Sequence, residues 1–118
     1  PHTVELMPAE GSGCRNYQGP AWYRKHFVLP AETKGQRVVL HFEAAMGKQI
    51  LYLNGKRIQE HLGGYLPFTL DLTANGVQAG DSCLLAVFTD NSDDKSYPPG
   101  KRQYTLDFAY HGGIYRDV

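Results

Sequence analysis

The sequence has 118 residues, the size of a single domain, and such a chain buries roughly two thirds of its unfolded surface. The 12 basic and 12 acidic residues balance to a formal net charge of +0, and the basic ones form no long run. This balance excludes a strongly basic nucleic-acid or membrane-surface binder. No apolar run approaches the ~18 residues of a membrane span.

The chain begins with a segment rich in turn formers. Residues 1–19, which contain Gly11-Ser12-Gly13, are predicted to be an irregular lead-in. A β-strand is predicted from Trp22 to Leu29, because Pro30 cannot continue a strand ladder. We interpret Trp22 as a core residue, since it lies on the same strand as Phe27.

Two further segments follow the strand pattern. Residues 37–43 alternate, with Val38, Leu40 and Phe42 on one face, which is typical of a half-buried strand. The apolar stretches at 50–53 and 56–58 flank Asn54-Gly55, a dipeptide that accepts the positive φ angles of a type I′ turn. A β-hairpin is therefore predicted over residues 50–58.

The next predicted strands cover 68–72 and 83–89. The first alternates, and the second is apolar on both faces, which favours a central strand covered on both sides. Seven or eight short strands predict an all-β sandwich, of jelly-roll type, with no helix longer than a couple of turns. The expected core consists of Val38, Leu40, Phe42, Leu51, Leu53, Phe68, Leu70, Leu84, Ala86 and Phe88.

The stretch from 90 to 100 is polar and proline-bearing, and it is predicted to be a long surface loop. Its acidic residues are Asp90, Asp93 and Asp94. A carboxylate accepts hydrogen bonds from sugar hydroxyls, Asn91 can also donate, and the ring of Tyr97 could stack on a pyranose. The residues alone leave two alternatives open, a solvated acidic turn and an adventitious calcium site.

A second candidate segment is Gly63-Gly64-Tyr65, which ends at Phe68. Adjacent glycines allow a close approach of the backbone, and Tyr65 offers an amphipathic ring. The alternative is that Phe68 is the first core residue of the next strand.

Other chemistries find little support. There is no Gly-x-Ser-x-Gly motif for a nucleophilic serine, and the five histidines show no metal-ligand spacing, so neither a metal nor a cofactor is predicted. Cys14 and Cys83 could form one disulfide, but two free thiols are the favoured interpretation.

The last residues, 112–118, predict a glycine turn that opens a strand expected to run on. The start is equally abrupt, with no signal region. We therefore interpret the chain as a piece of a longer polypeptide.

Several of these stretches, taken in order, resemble one family. They are Trp22-Tyr23-Arg24-Lys25-His26-Phe27, Phe42-Glu43-Ala44-Ala45, Tyr52-Leu53-Asn54-Gly55, His61-Leu62-Gly63-Gly64-Tyr65-Leu66-Pro67-Phe68, Asp71-Leu72-Thr73, Thr89-Asp90-Asn91 and Gly113-Ile114-Tyr115-Arg116-Asp117-Val118. The set is similar to the N-terminal sugar-binding domain of glycoside hydrolase family 2. Ser96-Tyr97-Pro98-Pro99-Gly100-Lys101 and Asp107-Phe108 most resemble the β-galactosidase-like members.

The resemblance implies a galactose-binding-domain-like jelly roll over residues 20–118, truncated in its last strand. It also implies a retaining hydrolase as the parent, with both catalytic glutamates on a barrel domain of the same polypeptide that this chain lacks. By position, Asp90, Asn91 and Tyr97 would then contact a galactoside-like sugar at the active-site rim, and the chain itself would be non-catalytic. The alternatives are a free-standing carbohydrate-binding module and a structural domain that mediates homo-oligomer contacts.

Overall fold

A computed structural model describes residues 2–4, 17–106 and 111–118, and within these ranges the chain contains strands and 3-10 turns but no α-helix. The strands are β1 His2–Val4, β2 Pro20–Val28, β3 Val39–Phe42, β4 Lys48–Leu53, β5 Lys56–Leu62, β6 Phe68–Asp71, β7 Ser82–Asp90 and β8 Gly112–Ile114. Single 3-10 turns cover Ala31–Thr33 and Gln103–Thr105. The all-β prediction is confirmed.

The strands form a sandwich in which each described pairing is antiparallel. One layer is a four-stranded sheet in the order β2-β7-β4-β5, and β3 and β6 form the facing pair. A third small sheet joins β1 to β8. Because β7 lies between β2 and β4, its predicted central place in the sheet is confirmed. The prediction that both of its faces are covered is wrong, since the outer face is only half-buried and no layer of the described residues lies on it.

The core lies between the two main layers. Leu51 and Leu53 of β4 and Leu70 of β6 are buried, as predicted. The ring of Phe42 on β3 stacks on that of Phe68 on β6, with centroids 4.6 Å apart and planes 6° from parallel. Val38 and Leu40, also predicted, are partly buried and pack against this cluster.

The predicted core face of β7 is wrong. Leu84, Ala86 and Phe88 lie on the outer side of the sheet and are only half-buried, whereas the alternate residues from Cys83 to Thr89 are buried. A strand that is apolar on both faces gives no sign of which face is inward, and an error of one residue exchanges the faces completely.

The interpretation of Trp22 as a core residue is also wrong. Its side chain is 51% exposed on the outer face of β2, an edge strand, while Tyr23 and Phe27 pack against the core. Residues an odd number of positions apart point to opposite sides of a strand, so Trp22 and Phe27 cannot both be inward.

The turns and termini give mixed outcomes. Asn54 and Gly55 have φ angles of 50° and 82°, which confirms the predicted hairpin turn. Strand β1 was not expected in the lead-in, and the terminal strand ends at Ile114 instead of running on through residues 115–118. Cys14 and the Asp107-Phe108 stretch lie outside the described residues, whereas Cys83 is a buried free thiol.

Candidate functional site

Asp90 is the last residue of the central strand β7. In the sheet it lies between Pro20 of β2 and Lys48 of β4, and its side chain is half-buried on the outer face. One carboxylate oxygen, Oδ1, accepts a hydrogen bond of 2.9 Å from the backbone N–H of Ser92. A rigid strand therefore holds this carboxylate at the point where the chain turns into the loop.

Asn91 occupies a different environment, because it is only 1% exposed. Its Oδ1 accepts a hydrogen bond of 3.0 Å from the N–H of Gly19, and its Nδ2 donates one of 2.7 Å to the carbonyl oxygen of Tyr17. Both ends of the amide are thus used to join the chain before β2 to the end of β7. This geometry fits a residue that positions the loop.

Two glycines pack closely against Asp90 and Asn91. A Cβ on Gly47, where φ is +84°, would lie 2.0 Å from the carbonyl oxygen of Asp90, and one on Gly112 would lie 3.0 Å from the amide of Asn91. No other residue type fits at Gly47, since both the backbone angle and the close approach exclude a side chain. The residue before β4 is thereby packed against the backbone of Asp90, and the start of β8 against the side chain of Asn91.

The rest of the loop is tied down by its own acidic residues. The Oδ1 atom of Asp93 accepts hydrogen bonds of 2.8 Å from the side chain of Gln18 and of 2.8 Å from the N–H of Gln103. Asp94 accepts hydrogen bonds from the hydroxyl and the N–H of Ser96, which lower the pKa of its carboxyl. Both carboxylates thus serve loop structure.

Tyr97, the third predicted contact, lies farther along the same loop and is half-buried. Asp90 thus ends β7, Tyr97 lies in the loop that follows, and the buried Asn91 comes directly after Asp90.

The second candidate segment lies at the same end of the sandwich. The N–H of Gly63 donates to the carbonyl oxygen of Gly47 at 2.9 Å, and the hydroxyl of Tyr115 donates to that of Gly64 at 2.5 Å. Tyr65 is 44% exposed. Partial desolvation of its ring, and secondly repulsion from the ionised form of Tyr115, raise the pKa of its hydroxyl. Phe68 is the first residue of β6 and belongs to the core, as its alternative interpretation predicted.

A row of polar side chains, two of them buried and one half-buried, lies beneath this end on the inner face of the sheet. Thr89, Gln49 and His61 are neighbours across β7, β4 and β5. Gln49 is fully buried, and its Nε2 donates a hydrogen bond of 2.9 Å to the carbonyl oxygen of Ala45. Its Oε1 and the Nε2 of His61 have no hydrogen-bond partner among the described residues. Burial lowers the pKa of His61, whose ring stacks on Phe68 at 4.3 Å.

The sequence did not identify these supporting residues. Gln49 lies at a period-two core position of a strand, and a buried polar residue there is a signal that the alternation pattern could have given. The roles of Gly47 and Gly112 depend on contacts between distant segments and have no local signal.

In the part of the chain that the structure describes, no group of three or more His, Cys, Asp or Glu side chains is placed to hold a metal ion. No helix within the described residues is long and apolar enough to cross a membrane. What the 90–97 loop offers is hydrogen-bond acceptors on a rigid base, which suits the recognition of hydroxyl groups.

Comparison with known proteins gives a consistent result. The family model described as glycosyl hydrolases family 2, sugar binding domain, matches residues 4–118. A β-galactosidase of Thermoanaerobacter pseudethanolicus is 36% identical over 118 residues, which cover 100% of this chain and 16% of that protein. A β-glucuronidase of Formosa agariphila is 32% identical over 108 residues, covering 86% of this chain and 11% of that protein.

A solved structure agrees with these relatives. The Bacteroides uniformis β-glucuronidase 2, covalently bound to cyclophellitol-6-carboxylate aziridine, has a TM-score of 0.75 at 33% identity, over 90% of this chain and 12% of that one. The chain therefore spans less than a fifth of the length of each of these three proteins. The family match begins at residue 4, earlier than the resemblance over residues 20–118 predicted.

Proposed function

The chain belongs to the sugar binding domain family of the family 2 glycosyl hydrolases, and from that premise we propose that it shapes the active-site rim of a β-galactosidase-like enzyme. In this proposal it is a non-catalytic domain, and its 90–97 loop meets the sugar in a site formed by a barrel domain of the same polypeptide. The chain's own role is to position hydrogen-bond acceptors.

The observation that carries the proposal is the placement of Asp90. Asp90 ends one of the two central strands of the sheet, and its backbone carbonyl is packed against Gly47. Within the described residues its carboxylate accepts one hydrogen bond, from the N–H of Ser92, so lone pairs remain for further donors. A rigidly held carboxylate with spare acceptor capacity suits the hydroxyl groups of a sugar.

The charge of the loop favours a neutral sugar. Asp90, Asp93 and Asp94 lie within five positions of one another, and a uronic acid would bring a further carboxylate towards them. Like charges at close range oppose binding. We therefore propose a galactoside-like substrate, although the relatives include β-glucuronidases.

The other two loop residues receive separate roles. Because the amide of Asn91 is buried and bonded to the backbone at both ends, we assign it the positioning of Asp90. This replaces the expectation that Asn91 touches the sugar. Tyr97 is proposed to stack on the sugar ring.

The test uses the full-length polypeptide that carries this domain. We expect Asp90→Ala to lower kcat/KM for an aryl galactoside about ten- to a hundredfold, because a charge-assisted hydrogen bond contributes roughly 1.5–3 kcal/mol. Asp90→Asn keeps the shape and one acceptor oxygen, so its loss is expected to be smaller. The melting temperature of both variants should stay close to that of the wild type, as is usual for surface substitutions.

Asp94→Ala is the matched control, since it removes the same charge from the same loop at a carboxylate that Ser96 already satisfies. Its kcat/KM is expected to change less than about threefold, as for a screened surface charge. Equal losses for Asp90→Ala and Asp94→Ala would point to a general charge effect, and wild-type kinetics in Asp90→Ala would show that the loop is a solvated turn.

A further inference from the structure

The outer face of the four-stranded sheet carries an aromatic patch formed by Trp22, Tyr52, Phe88, Ile50, Leu84 and Ala86. The centroid of the Trp22 ring lies 5.3 Å from that of Phe88 and 5.6 Å from that of Tyr52. Trp22 is about half exposed and the five others are only half-buried, so no layer of the described residues covers them.

We propose that the aromatic patch is the surface on which this domain docks against the barrel domain of the same polypeptide, the domain that forms the sugar site. The inference rests on the proposed function of Asp90. It adds where the contact between the two domains lies and what chemistry the partner surface has.

The placement of Asp90 on the same face carries the proposal. Asp90 and Phe88 alternate on the outer side of β7, and two residues along a strand span about 7 Å. Across β2, β7 and β4, the cross-strand neighbours of Asp90 are Pro20 and Lys48, and those of Phe88 are Trp22 and Ile50. These two rows are successive on the outer face of the sheet. Any protein surface that presents a sugar to Asp90 from this side therefore also faces the aromatic patch.

The length of the relatives indicates where the partner surface comes from. The chain spans 16% of the Thermoanaerobacter β-galactosidase and 11% of the Formosa β-glucuronidase. Each of these relatives therefore has extensive further chain, on which a complementary surface can be built.

The geometry of the rings fits side chains better than sugars. The plane of the Trp22 ring is inclined by 43° to that of Tyr52 and by 67° to that of Phe88, so the rings present no common flat platform. The guanidinium of Arg24 also lies 6.0 Å from the centroid of the Trp22 ring and occupies the space in front of it. Trp, Tyr and Arg are the residue types enriched at the energetic centres of protein interfaces.

The charge at the edge of the patch indicates the complementary group. Arg57 and Lys48 both lie near Glu60, at 2.5 and 3.6 Å, so each of them has an ion-pair partner within the domain. Arg24 forms no ion pair with any described residue. We therefore assign the partner surface an apolar centre, which covers Trp22 and Phe88, and a carboxylate opposite Arg24.

The experiment compares Trp22→Ser with Val28→Ser in the full-length polypeptide. Val28 lies on the same strand and the same face, is 61% exposed, and is far from Asp90. The measurements are the rate of limited trypsin cleavage between this domain and the rest of the polypeptide, followed by intact mass, and kcat/KM for an aryl galactoside.

We expect Trp22→Ser to increase the cleavage rate at least about fivefold, because proteolysis follows the population of the opened form. Val28→Ser should cleave at the wild-type rate. Trp22→Ser should also lower kcat/KM, and the double variant with Asp90→Ala should be no worse than Asp90→Ala alone, since an undocked domain no longer presents Asp90. If Trp22→Ser does not fold, Arg24→Glu at an exposed position tests the same contact, with the same increase in cleavage expected.

Cleavage of Trp22→Ser and Arg24→Glu at the wild-type rate would overturn the docking proposal, even where Asp90→Ala still loses activity. Normal kinetics in Asp90→Ala would instead overturn the proposed function. A third outcome also counts against docking: unchanged cleavage together with weaker retention of Trp22→Ser in a galactan gel, which would make the aromatic patch a polysaccharide site.

Discussion

The two ends of the sandwich are stabilised in different ways. At the end opposite Asp90, side chains bond to the backbone three residues away, as Thr33 does to Pro30, Asp71 to Ala74 and Asp81 to Gln78. At the Asp90 end, the hydrogen bonds of Asn91 join residues 72 and 74 positions apart. Distant segments also meet at the first end, where Arg37 bonds to Asp71 and Val38 to Thr73 over 34 and 35 positions. The segments joined by Asn91 lie about twice as far apart in the sequence.

This difference has consequences for what each end tolerates. A local turn can shift or refold by itself, so a lost contact there costs little elsewhere. At the Asp90 end, several segments share one small volume, and a change in one of them displaces the others. We therefore expect matched substitutions at the two ends to differ clearly in their cost.

The largest difference is expected between Gly47→Ala and Gly76→Ala. Both glycines have a φ of +84°, but a Cβ on Gly76 meets nothing within 4 Å, whereas one on Gly47 would lie 2.0 Å from the carbonyl oxygen of Asp90. Gly76→Ala should cost about 1–2 kcal/mol, the usual penalty of a left-handed backbone. Gly47→Ala should cost at least about 3 kcal/mol, because backbone strain adds to the clash.

Urea denaturation of the 118-residue chain measures both glycine variants. Equal free energies of unfolding for Gly47→Ala and Gly76→Ala would show that the Asp90 backbone moves aside readily. The two ends would then tolerate a Cβ equally well.

A smaller difference is expected between Asn91→Ala and Asp81→Ala. Asn91→Ala leaves the N–H of Gly19 and the carbonyl of Tyr17 without their buried partner, so we expect a loss of about 2–3 kcal/mol. Asp81→Ala removes a hydrogen bond of 2.8 Å to the N–H of Gln78 at an exposed turn. Water replaces that bond, and the loss should be about 0.5–1 kcal/mol. Urea midpoints at constant m-value give both numbers, and a reversed order would contradict the comparison.

The smallest effect concerns pH and His61. Burial lowers the pKa of this histidine below its usual 6.5 in the folded state. The unfolded chain therefore binds more protons between the folded pKa and 6.5, and stability falls as the pH drops through that window. His61→Phe removes the titrating group, so its stability should depend less on pH there and match the wild-type slope above about pH 7.5. Thermal melts at several pH values test this, and identical slopes at pH 6 would contradict it.

Much of the fold followed from local patterns in the sequence. Alternation placed Phe42, Leu51 and Leu70 in the core, and Asn54-Gly55 marked the hairpin, because each signal depends on residues that are neighbours in the chain. The loop that carries Asp90 was visible for the same reason, as a polar stretch directly after an apolar strand.

What failed depended on tertiary context. The faces of β7 could not be distinguished from its apolar composition, so Phe88 was placed inside. Trp22 was wrongly assigned to the core because it shares a strand with Phe27, although the two point to opposite faces. The burial of Asn91 depends on contacts with residues before β2, and no local rule indicates it. The proposed sugar contacts of Asp90 and Tyr97 stay predictions.

The strand order also bears on how the chain is made. Strand β7 fills the gap between β2 and β4 and pairs residues as distant in sequence as Pro20 and Asp90. The β4–β5 hairpin can form early, since its turn is two residues long. On a ribosome, however, β2 and β4 emerge well before β7, and their apolar inner faces stay exposed until β7 pairs with them. Asp90, at the end of β7, reaches its place only when that last central strand is inserted, so nascent chains can acquire the rim residue only after the whole sheet is complete.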